Sequence, residues 1–90
     1  MILHEGKYLK LVREDNWEYV KRIHCSGIVV IVPMTQDGKV IFVEQFRRPV
    51  EAQVIEWPAG LVNDKETREP ETMETAARRE LLEETGYEAE

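Results

Sequence analysis

The sequence predicts an α+β chain in which several short antiparallel strands lead to one helix near the C-terminus. Three observations carry this reading. Residues 27–34 form a β-branched run, Gly27-Ile28-Val29-Val30-Ile31-Val32-Pro33-Met34, of the kind that builds a buried strand. Asp37-Gly38 follows as a two-residue hairpin signal. Residues 73–85 lie between Thr72, a good N-cap, and Gly86, a good C′ residue.

The elements follow in order. Residues 8–12 alternate weakly and read as a strand, and residues 13–16 are polar and turn-like. Residues 17–23 place Trp17, Tyr19, Val20 and Ile23 among Glu18, Lys21 and Arg22. That imperfect alternation fits a second strand, hairpinned to the first. After Asp37-Gly38, residues 39–46 read as the return strand of the 27–34 run. Pro49 breaks the pattern, and residues 53–57 form a further short strand. Pro58-Ala59-Gly60 ends it, so residues 61–71, mostly polar and containing Pro70, read as a loop. In the helix, Glu74 sits in the first turn, where the dipole favours it, and Met73, Ala77 and Leu81 form an apolar stripe.

Composition narrows the function. Ninety residues allow one small domain, burying roughly 60–65% of its unfolded surface. Hydrophobic content of 42% suffices for a core, and 33% charged residues argue for a soluble protein. A net charge of −6 disfavours a nucleic-acid partner held by its phosphates. It leaves room for a phosphorylated small molecule, because a metal ion reverses the local sign. The single cysteine, Cys25, has no internal disulfide partner and reads as a buried thiol in a reducing, cytoplasmic setting. No segment has the length and apolarity of a membrane span.

The chemistry concentrates at Arg79-Glu80-Leu81-Leu82-Glu83-Glu84-Thr85-Gly86-Tyr87. Glu80, Glu83 and Glu84 stand at i, i+3 and i+4, so their carboxylates project to one side of the helix. Like charges at that spacing repel by roughly a few tenths of a kcal/mol each. Two readings account for them: a solvated acidic face partly paired by Arg78 and Arg79, or a site for a hard divalent cation, which takes oxygen ligands.

The same nine residues match the end of the Nudix box, G-x5-E-x7-R-E-U-x-E-E-x-G-U, where U is aliphatic or aromatic. Glu71 stands eight before Arg79, as that pattern requires. Gly60 matches the opening glycine, but ten residues separate it from Glu71 where the pattern has five. A five-residue loop insertion, cheap in closure entropy, accounts for the difference. Glu66 satisfies the first spacing and Glu71 the second, and Glu71 is favoured as the outlying box glutamate. Glu56-Trp57-Pro58-Ala59-Gly60, Val43-Glu44-Gln45-Phe46-Arg47-Arg48-Pro49 and Trp17-Glu18-Tyr19-Val20-Lys21-Arg22 resemble segments of ADP-ribose pyrophosphatases in this superfamily.

The resemblance implies an α/β/α sandwich around a mixed sheet, of which this chain supplies the N-terminal part. Residues 25–90 would form the Nudix portion, with the box at 60–87, and residues 1–24 a hairpin region for dimerisation and base binding. It implies a Mg²⁺-dependent pyrophosphohydrolase, with Mn²⁺ as a substitute, cleaving the diphosphate of ADP-ribose or a related nucleoside diphosphate sugar. Glu80, Glu83 and Glu84 would hold the metal with the main-chain carbonyl of Ala59. Arg79 would pair with a box glutamate and order the helix. Arg47 would grip phosphate or ribose oxygens, against the plainer reading of an edge-strand charge. Glu56 would brace Arg47 or meet the substrate. Trp17 would stack on a purine and Glu18 accept from its exocyclic amine, against the plainer reading of sheet packing. The family's usual general base lies on a later loop, which the chain, ending four residues after Gly86, does not contain. A homodimer or a C-terminal segment is therefore expected to complete the fold. The other class of function is a truncated or non-catalytic nucleotide-binding module.

Overall fold

The structure is a computed structural model that describes residues 1–63 and 70–90. Its one described α-helix, α1, spans Met73–Thr85, and a single 3-10 turn covers Arg48–Val50. Local chemistry sets both ends. The Thr72 hydroxyl accepts from the Thr75 N–H at 3.1 Å. Gly86 takes a left-handed φ of 80° and donates its N–H to Leu82 O at 2.9 Å, the geometry glycine adopts without a Cβ penalty.

Seven strands precede it: β1 Ile2–Glu5, β2 Leu9–Glu14, β3 Trp17–Arg22, β4 Gly27–Val30, β5 Val43–Arg47, β6 Ala52–Glu56 and β7 Ala59–Val62. They pair as β1-β2-β3, β4-β7 and β5-β6, and every pairing among the described residues is antiparallel. The predicted N-terminal hairpin is β2-β3, turned at Asp15 with φ 52°. β1 adds a third strand that the sequence reading missed.

Two expectations about the strands need correction. Residues 61–62, read as the start of a loop, join Ala59 and Gly60 in β7, whose Gly60 pairs with Val29 and Val62 with Gly27. Pro58 ends β6 without ending extended structure: it is fully buried, and its carbonyl accepts from the Ile31 N–H at 2.8 Å. The 39–46 run is also not a full return strand against 27–34. Around the Asp37-Gly38 turn the two runs meet at the Met34–Val40 bridge, flanked by the Thr35 N–H to Lys39 O bond at 2.8 Å and the Ile41 N–H to Pro33 O bond at 3.2 Å. Pro33 has no N–H to extend the ladder. β4 finds its partner in β7 instead, and β5 pairs with β6 from Val43–Glu56 to Arg47–Ala52.

The helix packs on β7 and β4. Its buried residues are Ala76 and Leu81, so the predicted Met73–Ala77–Leu81 stripe is rotated. Met73 is exposed, Ala77 is half-buried, and the small Ala76 meets the sheet. Val62 and Leu81 form the centre of this packing, while Val12 is buried in the other sheet. Cys25 is half-buried rather than buried. Alternate residues of one face, Ile28, Val30, Val32 and Met34, stay 56–67% exposed. Such an apolar strip is in keeping with a partial domain.

Candidate active site on the acidic helix

Arg79 organises the site. Its Nε–H and one Nη2–H donate to the two oxygens of Glu71 at 2.7 and 2.9 Å. Its Nη1 donates to Glu80 Oε1 at 2.9 Å and to Glu83 Oε2 at 3.3 Å. The remaining Nη2–H reaches Leu61 O on β7 at 3.1 Å. A guanidinium has five N–H donors, and all five are engaged. The hydrogen bond to Glu71, with further help from Glu80, raises the guanidinium beyond its ordinary value. Glu80 moves up as well, because burial disfavours its charge by more than Arg79 restores.

The helix approaches β7 closely enough to require a glycine. A Cβ placed on Gly60 would stand 2.0 Å from Glu80 Cδ and 2.3 Å from its Cγ. One strand position away, the Ala59 N–H donates to Glu84 Oε2 at 3.1 Å. Gly60 and Ala59 therefore seat Glu80 and Glu84 side by side. Arg78 does not join the cluster: it pairs with Glu74 at 3.3 Å and donates to the carbonyls of Ala89 and Glu90.

Beyond the helix, Arg47 at the end of β5 is forked onto Glu56 of β6, at 2.6 Å from Nε to Oε2 and 3.0 Å from Nη2 to Oε1. That pair raises the Arg47 guanidinium, with a contribution from the charge of Glu84, and lowers the Glu56 carboxyl. A groove of about 510 Å³ opens between Ile41–Gln45 and the helix end at Glu84, Thr85 and Tyr87.

The structure brings together Arg79, Glu80, Glu83, Glu84 and Ala59, while Arg47 and Glu56 form their own pair across β5 and β6. It does not bring Trp17 and Glu18 to them. They start β3, in the separate β1-β2-β3 sheet, and Trp17 is 76% exposed. Among the described residues, no three His, Cys, Asp or Glu side chains converge to hold a metal ion. Glu80 and Glu83 are turned to Arg79, and Glu84 to the Ala59 N–H. The donor set nevertheless suits a hard cation: all side-chain donors are carboxylates, and three carboxylates share one guanidinium. Glu71 is the glutamate that meets Arg79. Glu66 lies outside the described residues.

Sequence reasoning missed Asn63. Its main-chain N–H donates to Glu71 Oε1 at 3.3 Å, and its Oδ1 accepts from the Glu71 N–H. The available signal was an asparagine following Leu61-Val62, a residue that tolerates left-handed backbone and bonds nearby main chain. The Phe42–Trp57 ring contact, with centroids 4.4 Å apart, also went unread.

The sequence that builds this site has relatives. The NUDIX domain profile matches residues 24–90, and the chain belongs to the Nudix family. An ADP-ribose pyrophosphatase of Bacillus subtilis is 41% identical, over 97% of this chain and 48% of the relative. A methanol dehydrogenase activator of Bacillus methanolicus is 35% identical, over 98% and 48%. An ADP-sugar pyrophosphatase of Mus musculus is 35% identical, over 99% and 46%. The chain spans about half the length of these curated relatives. No described helix is long and apolar enough to cross a membrane.

Proposed function

We infer that the chain carries the metal and phosphate machinery of a pyrophosphohydrolase that cleaves ADP-ribose or a related nucleoside diphosphate sugar. The observation behind this reading is the Arg79-centred carboxylate cluster seated on Gly60 and Ala59. Its donors suit Mg²⁺, with Mn²⁺ as a substitute, and Nudix hydrolases generally use a divalent metal. Glu80, Glu83, Glu84 and the Ala59 carbonyl would hold it. There the ion would neutralise charge on the diphosphate, the main requirement of such a displacement.

The chain's own residues supply the rest. Arg79 fixes Glu80 and Glu83 relative to the sheet. Arg47, held in one orientation by Glu56, presents a cation that can grip a phosphate or ribose oxygen. Trp17 and Glu18 belong to residues 1–24, and serve base recognition by stacking and by accepting from an amine. In a homodimer, one copy's hairpin would bring them to the other's site. The cytoplasm suits a chain with one free thiol.

A panel of ADP-ribose, GDP-mannose, NADH and diadenosine polyphosphates, assayed with the full-length parent and Mg²⁺, tests the reading. ADP-ribose should rank among the best substrates by kcat/KM, and a low rank removes the subgroup assignment. The second reading, a non-catalytic nucleotide-binding module, draws on the turning of Glu80 and Glu83 toward Arg79. Tight ADP-ribose binding without turnover would favour it.

A further inference from the structure

We propose that Asn63 is a positioning residue for the acidic cluster, acting on it through Glu71 and Arg79. Its consequence for turnover rests on the hydrolase reading, while its consequence for geometry does not. A single chain of contacts carries the proposal. The Ser26 N–H donates to Val62 O at 2.8 Å, so Ser26 is fixed at the β4-β7 edge. Asn63 Nδ2 donates to Ser26 Oγ at 2.8 Å. Asn63 and Glu71 then exchange two bonds, main-chain N–H to carboxylate one way and main-chain N–H to side-chain carbonyl the other. Glu71 in turn takes the fork of Arg79, which holds Glu80 and Glu83.

The placement of Asn63 has a chemical logic. It adopts φ 57°, a left-handed conformation that asparagine accepts far more readily than most residues. It and Glu71 flank residues 64–69, and their paired bonds tie the two ends of that stretch together. Asn63 thus helps set the register of Glu71 on Arg79.

The test uses Asn63→Gly, which keeps the left-handed backbone unstrained and removes only the side chain. Two readouts follow it: hydrogen exchange of the Arg79 Nε–H by NMR, and Mn²⁺ affinity by calorimetry. Exchange at Arg79 should speed up, and Mn²⁺ affinity should fall about 10-fold or more, the usual effect of losing a group that orients a ligand shell. A wild-type Arg79 signal in N63G overturns the proposal, whatever happens to stability. Should N63G fail to fold, Ser26→Ala carries the test, and an unmoved Arg79 Nε–H there overturns it equally. Absence of nucleotide-sugar turnover in the unmodified protein would remove the hydrolase reading alone, because the Arg79 signal judges Asn63 without it.

Discussion

Arg79 and Glu71 meet fork to fork, with Nε–H on Oε2 at 2.7 Å and Nη2–H on Oε1 at 2.9 Å. Both side chains are mostly shielded, 23% and 17% exposed. The pair therefore differs from a surface ion pair, whose net worth is close to zero. Glu71 precedes the helix and Arg79 lies within it, so the fork locks the approach of the chain to the helix it enters.

Replacing Arg79 with Lys should expose what the fork does. A lysine offers three donors from one nitrogen instead of five from a planar fork, so it cannot keep all the bonds to Glu71, Glu80, Glu83 and Leu61 O. Partly buried acceptors left without donors cost about 1–3 kcal/mol. We expect Arg79→Lys to be destabilised by about that amount in urea titrations. A midpoint equal to the wild type would mean that water replaces the guanidinium without penalty.

Much of this site was legible because its signals are local. Thr72 and Gly86 bound α1 within one turn of the residues they cap, and the Glu80, Glu83 and Glu84 spacing fixes a common side from sequence alone. The pairing of Arg79 with Glu71 was legible through the box spacing. What the sequence hid depends on distant partners. Leu61-Val62 is too short an apolar pair to declare a strand, and β7 exists because Gly27–Val30 lies alongside it. The pairing of β5 with β6 instead of β4 is likewise a tertiary choice. The helix stripe was misplaced because Ala76 is buried where α1 packs on β7 and β4, which residue hydrophobicity does not record.

Gly60 leads to a second prediction. A Cβ there meets Glu80 Cδ at 2.0 Å, so Gly60→Ala forces the carboxylate off its seat. Overpacking of this kind costs about 1–3 kcal/mol. Truncating the obstacle should relieve it, so G60A combined with Glu80→Ala should lose less stability than the two single changes added together. Strict additivity in that double-mutant cycle would show that the two residues do not collide.

The acidic face leads to a third. If Glu83 and Glu84 are metal ligands, exchanging either carboxylate for an amide removes a charged oxygen while keeping size. Glu83→Gln and Glu84→Gln should each weaken Mn²⁺ binding markedly in calorimetry, with little change in folding. Unchanged affinity in both variants would assign the two glutamates to the solvated face.

The Arg47–Glu56 pair leads to a pH prediction whose sign is fixed. Arg47 holds the folded Glu56 carboxyl below its ordinary value of 4.5. A depressed carboxylate contributes stability that is present in full above the unfolded value and disappears as pH falls through the folded one. Stability of the wild type relative to Glu56→Gln should therefore be greatest above about pH 4.5, the value for an unpaired glutamate. The two should converge under more acidic conditions. Glu80 runs the other way, because burial raises its carboxyl. The raw stability curve mixes both groups, and the difference between the two proteins isolates Glu56. Thermal midpoints measured for both from neutral pH down to about pH 3, a unit or so under the ordinary glutamate value, provide the check. A difference that stays constant across that range would mean that Arg47 and Glu56 do not pair in solution, and Arg47 would lose the brace that orients it.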